Sequence, residues 1–321
     1  MKNILAYCLL SFCFLNYSYA QTWVSWISDL RQEAVNKGIS PELFDTAFAN
    51  VHEPNQKIKH FQKSQPEKRL TYTKYLKTRV NSYRIIMGQK NYLKNKEILE
   101  KIGDVYGVDP CFITAFWGME TSYGTYMGDF PVIQSLATLA YDSTRTAFFR
   151  KELLLALKIL SEGHVSLKDF KGEWAGASGQ PQFLPSSFYR YAVDFDEDGR
   201  KNIWTSKPDV FASIANYMKQ NGWKKGEPWA IKVKIPANFD KNLQGKKIVK
   251  PVAEWNALGV RTVDGKELPY SHLSSSIIEP HEGPIFLALP NYKMILKYNN
   301  SIYYAGAIGY LADHICKRDQ D

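Results

Sequence analysis

Apolar positions recur at helical spacing over most of the chain. Trp23, Ile27 and Leu30 fall on one helical face, as do Leu43, Phe44 and Phe48. Ser40-Pro41-Glu42 supplies a helix start, since Pro suits the first helical position. Lys68 to Leu93, rich in Tyr and Arg, reads as one long helical stretch with a solvated charged face. Asp109-Pro110 opens another helix, on which Phe112, Phe116 and Glu120 recur at i, i+4 and i+8, flanked by Ile113 and Trp117. Gly124 is placed to end it in a left-handed cap. After residue 223 the period changes. Ile231, Val233 and Ile235 alternate with Lys232 and Lys234, the pattern of a half-buried strand. Ile248-Val249 precedes Pro251, Asp264-Gly265 signals a hairpin turn, and Ile285 to Leu289 is a short apolar run. Ala305, Ile308, Leu311 and Ala312 return to helical spacing. The expected fold class is mainly α (α+β). Its parts are a helical region over 21–100, a core over 101–223, a small β-rich insertion over 224–290 and a closing helical segment over 291–321.

The first twenty residues change the picture of where the chain works. Lys2, an apolar run from Ile4 to Leu15, and Ser18-Tyr19-Ala20 form a secretory signal, with cleavage expected after Ala20. The run is shorter than the roughly 20 residues that span a bilayer. Cys8 and Cys13 follow the bulky Tyr7 and Phe12, so no lipobox is present. A soluble periplasmic monomer is expected. The net charge of +9 suggests an acidic target, either peptidoglycan or an anionic membrane face at the envelope. Export argues against nucleic acid. Cys111 and Cys316 outlast cleavage, and the sequence leaves open whether they pair or stay as buried thiols.

Chemistry concentrates between residues 101 and 223. A carboxylate at Glu120, on an apolar face, is costly when charged, and desolvation raises its pKa toward that of a general acid working near neutrality. A buried ion pair is the alternative. Residues 174–187, from Trp174-Ala175-Gly176 to Ser186-Ser187, are mostly small. They suit either close approach of a ligand or a tight turn between helices. Gln182 offers a donor and an acceptor for sugar hydroxyls. Asp194, Asp196 and Asp198 with Gly199 match the start of an EF-hand loop, but Thr205 stands where a bidentate Glu belongs. An acidic turn before a helix near Pro208 is the alternative to a bound cation.

Glu120-Thr121-Ser122-Tyr123-Gly124, Ala175 to Gly179 with Gln182 to Ser187, Ala215-Asn216-Tyr217 with Gly222-Trp223, and Tyr298-Asn299 with Tyr303-Tyr304-Ala305 resemble the lytic murein transglycosylase B family in order and spacing. The likeness covers roughly residues 25 to 315. It implies a lysozyme-like catalytic domain that cleaves the β-1,4 bond between N-acetylmuramic acid and N-acetylglucosamine in peptidoglycan glycan strands. Glu120 would act as acid, then as base toward the muramic acid C6 hydroxyl, leaving a 1,6-anhydro end with no catalytic cofactor. Gln182, Tyr217, Tyr298, Asn299 and Tyr304 would line the glycan groove. The acidic loop would be closed by Asp209, with the Arg200 carbonyl, around a structural Ca2+ or Na+. The sequence departs from the family at Glu173, where a small hydroxyl residue is usual. A hydrolytic muramidase and a non-catalytic peptidoglycan-binding envelope protein are the competing readings.

Overall fold

A computed structural model describes residues 21–63 and 70–317. The expected signal sequence and Lys68-Arg69 lie outside the described residues. The chain begins with α1 (Trp23–Asn36), α2 (Pro41–Phe48), α3 (Gln56–Lys63), α4 (Tyr72–Arg79), α5 (Ser82–Lys94) and α6 (Lys96–Tyr106). Side chains of Thr22, Ser40, Thr71 and Asn81 cap α1, α2, α4 and α5. The stretch expected as one helix up to Leu93 is therefore broken. Val80 leaves helical geometry with its side chain buried, and Asn81 accepts from the Arg84 amide at 2.9 Å. A local side-chain bond of this kind competes with helix continuation.

Next come α7 (Pro110–Thr121), β1 (Phe130–Pro131), α8 (Val132–Tyr141), α9 (Thr146–Ser161), β2 (Lys171–Gly172), α10 (Pro185–Tyr191) and α11 (Lys207–Gln220). Helix α7 ends before the expected Gly124. Ser122 and Tyr123 already take left-handed backbone, at φ 49° and 65°. The Tyr123 ring lies on Gly118, where a Cβ would come within 2.5 Å of it, and its hydroxyl donates to the Arg84 carbonyl at 2.7 Å. Packing of Tyr123 thus accompanies the early turn.

The remainder is β3 (Ala230–Lys234), β4 (Lys250–Pro251), α12 (Val252–Ala257), β5 (Arg261–Thr262), β6 (Ser274–Ile278), β7 (Phe286–Ala288), α13 (Pro290–Tyr298) and α14 (Ile302–Ile315). The strands form an antiparallel sheet in the order β4-β6-β7-β3-β5. Val252, Trp255, Val260 and Leu287 give this part its own apolar cluster. Asp264-Gly265 makes a local turn in which the Thr262 amide donates to the Lys266 carbonyl and the Lys266 amide to Thr262 Oγ1, but no strand hairpin follows. β5 pairs instead with β3, and β6 begins only at Ser274.

The main core centres on α7 and α14. Phe112, Ile113, Phe116 and Trp117 are buried on the first, and Ala305, Ile308, Leu311 and Ala312 on the second. Small residues on α14 admit neighbouring aromatics: a Cβ at Gly309 would lie 2.2 Å from the Trp229 ring. Cys111 and Cys316 form a disulfide with Cα atoms 6.0 Å apart, which settles the cysteine question in favour of pairing. The bridge spans 205 residues of sequence. Replacing both cysteines by Ala is expected to cost about 2–5 kcal/mol, read as a lower midpoint in urea with folding and spectrum otherwise retained.

Candidate active site

Glu120 lies in the last turn of α7 and is partly accessible. One turn earlier, Phe116 is fully buried and packs on Tyr298 and Tyr304, at centroid distances of 4.6 and 6.3 Å. The Tyr304 hydroxyl donates to Glu120 Oε1. Among the described residues no bond reaches Oε2, which is the oxygen left for an incoming group. Desolvation is the largest influence on this carboxyl, and it pushes the pKa up to about 7. The charge of Glu173 raises it further, and the Tyr304 hydrogen bond acts in the opposite direction. No cation contributes, so the environment is not that of a buried ion pair. Burial and the nearby Glu120 charge hold the hydroxyls of Tyr298 and Tyr304 well above the usual tyrosine range, so both remain donors.

The small-residue segment forms a tight turn whose glycines meet close protein atoms. A Cβ at Gly172 would lie 2.0 Å from the Ala177 carbonyl oxygen, and one at Gly176 2.3 Å from Leu136. Gln180, which the sequence reading passed over, fastens the segment to α7. It accepts from Trp117 Nε1 at 2.6 Å, donates to the Trp204 carbonyl at 2.8 Å, and its own carbonyl accepts from Thr121 Oγ1 at 3.1 Å. The Tyr298 hydroxyl donates to the Pro181 carbonyl, joining the last motif to this turn. Gln182 then sits at φ 52°, an uncommon conformation for a residue with a side chain. Its Nε2 donates to the carbonyls of Met127 at 3.0 Å and Gly179 at 2.9 Å, while Oε1 has no partner.

The remaining groove candidates differ in exposure. Tyr217 is buried, donates to the Lys297 carbonyl at 2.7 Å, and packs between Tyr191 and Tyr298. Asn299 is exposed immediately after α13, on extended backbone. Glu173 is exposed on the turn, and its carboxyl is raised by desolvation and by Asp129. Tyr75 of α4 is buried beside Tyr304. Nothing in the local pattern separated it from the other tyrosines around it.

In the acidic loop, one oxygen from each of Asp194, Asp196 and Asp209 lies within 4.8 Å of the others. Asp209 is fully buried and accepts from the amides of Phe195 and Asn202, both at 2.7 Å. Desolvation is the first cause holding its pKa up, with Asp196 adding to it. Asp198 is engaged elsewhere: it accepts from the Arg200 amide at 2.9 Å and pairs with that guanidinium at 3.4 Å.

Residues 22–313 match the model of the transglycosylase SLT domain family. Membrane-bound lytic murein transglycosylase B of Escherichia coli K12 is 33% identical over 224 residues, covering 68% of this chain. The chain spans 60% of the length of that relative. SltB3 of Pseudomonas aeruginosa, solved with NAG-NAM-pentapeptide and with NAG-anhNAM-pentapeptide, is 44% identical with a TM-score of 0.89, covering 94% of this chain and 81% of that one. The E. coli lytic transglycosylase Slt35, solved in complex with calcium, is 27% identical with a TM-score of 0.80, covering 91% and 92%. With a family match over nearly all described residues and structural agreement at this level, the chain belongs to the transglycosylase SLT domain family.

Proposed function

We propose that this chain is a lytic transglycosylase that cleaves the β-1,4 bond between N-acetylmuramic acid and N-acetylglucosamine in peptidoglycan. The observation that carries this reading is Glu120: a carboxyl raised to about 7, with Tyr304 on one oxygen and the other oxygen free. Protonated near neutrality, Glu120 gives its proton from Oε2 to the glycosidic oxygen as that bond breaks. The resulting carboxylate is stabilised by the Tyr304 donor. It then takes the proton from the C6 hydroxyl of the same muramic acid as that oxygen closes on C1. The carboxyl ends as it began, and no water is consumed. In this reading Gln182, Tyr217, Tyr298, Asn299 and Tyr304 line the glycan groove. The complex of SltB3 with an anhydro product supports this assignment for a 44% identical relative.

The substrate is a glycan strand, and the working place is the periplasm, reached through the signal at residues 1–20. In this reading residues 21–100 and 101–223 form the helical region and the core, 224–290 the insertion, and 291–321 the closing segment. Asp194, Asp196 and Asp209 would hold a structural Ca2+ or Na+, as a set of hard oxygen donors around a buried carboxylate suits. Such an ion lends rigidity and takes no part in proton transfer. The calcium complex of Slt35 supports this.

One observation favours a second reading, hydrolysis: Glu173 places a further carboxylate near Glu120. Inverting hydrolysis needs a second carboxylate to activate water. The masses of the muropeptides released from purified sacculi decide. Products lacking one water, with 1,6-anhydro ends, are expected, and reducing ends would establish a muramidase instead.

Glu120→Gln is expected to lower the digestion rate at least about 1000-fold, and undiminished digestion would point to a non-catalytic wall-binding protein. The same variant has a stability signature. Because the folded pKa lies above the ordinary 4.5, the parent loses stability as pH rises from about 4.5 to about 7. Glu120→Gln should match the parent below pH 4.5 and exceed it by up to about 3 kcal/mol at alkaline pH, measured by urea denaturation.

Glu173→Ser removes the like charge, so the Glu120 pKa falls and the alkaline limb of kcat/KM moves to lower pH. An unmoved limb would show that Glu173 does not act on Glu120. Adding calcium to chelator-treated protein should raise the thermal midpoint by several degrees in the parent and not in Asp209→Asn.

A further inference from the structure

Helix α5 is packed on one side only. Gly88 lies under Tyr123 and Ile315, where a Cβ would come within 2.5 and 2.7 Å of their side chains. Gln89 Nε2 donates to the His314 carbonyl at 2.8 Å, and Arg84 Nη2 donates to Ser122 Oγ at 3.0 Å. The ends of α7 and α14 thus hold the inner face. The opposite face carries Tyr83, Ile86, Lys90 and Leu93, which recur every three or four residues, with Lys94 at its edge. Tyr83 is 72% exposed, Ile86 49% and Leu93 68%. A single exposed apolar side chain is ordinary, but three along one stripe make a patch.

The charge around this patch has one sign. From Leu70 to Lys96 the chain has seven Lys and Arg residues and no Asp or Glu, so this stretch supplies seven of the formal +9. Lys96 pairs with Glu100 at 3.7 Å, and the other six form no ion pair among the described residues. Lys74, Lys77 and Arg79 of α4 are exposed just before α5 begins. They need not touch a charged surface to be drawn to it, because attraction reaches about 8 Å at physiological salt. A second copy of the chain is a poor occupant. Stable dimers bury roughly 800 Å² per partner, more than one stripe of three side chains offers, and like charges would repel. Peptidoglycan carboxylates would suit the lysines, but a hydrated glycan–peptide strand offers nothing apolar to Ile86 and Leu93. An anionic bilayer answers both features. Its head-group boundary accepts Tyr, Ile and Leu, while the long stems of lysines reach from an apolar face to the phosphates.

We propose that the outer face of α5 docks the chain on an anionic phospholipid surface, with Tyr83, Ile86 and Leu93 at the head-group boundary and Lys90 and Lys94 among the phosphates. The proposal does not rest on the assigned reaction. The test is cosedimentation of the chain from Gln21 onward, the product expected of cleavage after Ala20, with vesicles. One set contains phosphatidylethanolamine and phosphatidylglycerol, the other phosphatidylcholine alone. Saturable binding to the first set is expected, at least about tenfold tighter than to the second. Ile86→Gln with Leu93→Gln should weaken it at least about tenfold. Lys90→Gln with Lys94→Gln should weaken it about twentyfold, since each basic residue at such a surface is worth roughly fivefold. Both pairs occupy the outer face of α5, so the circular dichroism spectrum and thermal midpoint should stay those of the parent. Pull-down on purified sacculi and sedimentation velocity without lipid are run on the same variants. The proposal is overturned if anionic vesicles carry down no protein, or if the apolar pair of substitutions leaves vesicle binding unchanged. It is equally overturned if those substitutions reduce binding to sacculi, or dissolve a dimer, instead of reducing binding to vesicles.

Discussion

The antiparallel packing of α14 on α7 is the constraint on which the rest of the molecule depends. At one end the two helices are joined covalently, Cys111 to Cys316. At the other, Tyr304 of α14 reaches Glu120 of α7. Between these points small residues let α14 come close to its aromatic neighbours: Gly306 lies under Tyr72 and Gly309 under Trp229. The acid is thus held by residues nearly two hundred positions later in the chain. An internal cross-link and a buried aromatic layer keep that distant partner in register. Such precision matters because a proton donor misplaced by about 1 Å loses much of its advantage.

Burial does two things to Glu120 that pull against each other. Phe116, Tyr298 and Tyr304 remove water and so favour the neutral acid. The same wall contains a hydroxyl that favours the carboxylate. The proposed cycle, in which the acid first gives and then takes a proton, needs both tendencies, since a strongly one-sided environment would block one half of it. Glu173 leans toward the neutral form from the groove side. It is exposed, so solvent screens its field, and its influence remains secondary to desolvation.

The parts legible in the sequence were those set by local chemistry. Asp109-Pro110, Ser40-Pro41 and the alternation at Ile231 to Ile235 announce their elements because capping and periodicity act over a few residues. Glu120 was legible for the same reason: its place on an apolar face follows from helical geometry alone. The break at Val80 was hidden because it depends on one side chain turning into the core. The sequence left the small residues of 174–187 open between ligand approach and a tight turn, because spacing cannot tell a ligand from Leu136 as the atom that crowds Gly176. Gln180 and Tyr75 carry no local signature, since both owe their roles to partners 24 to 229 residues away. The cysteine pairing was unreadable for the same reason.

Gln180 also connects two features that the sequence presents as unrelated. Its amide donates to the Ile203 carbonyl at 2.9 Å and its side chain to that of Trp204 at 2.8 Å. Both carbonyls belong to the stretch between Asp194 and Asp209, whose ends are drawn together by the Asp209 carboxylate on the Phe195 and Asn202 amides. On its other side Gln180 grips Trp117 and Thr121, the residues flanking the last turn that bears Glu120. The acidic loop is therefore two hydrogen bonds from α7, and the turn carrying Gln182 lies between them. Any cation that draws Asp194, Asp196 and Asp209 together stiffens the loop and, through Gln180, the floor beneath the acid. A loop of this kind needs no contact with substrate to matter for catalysis, because it fixes the backbone from which the contacting residues project.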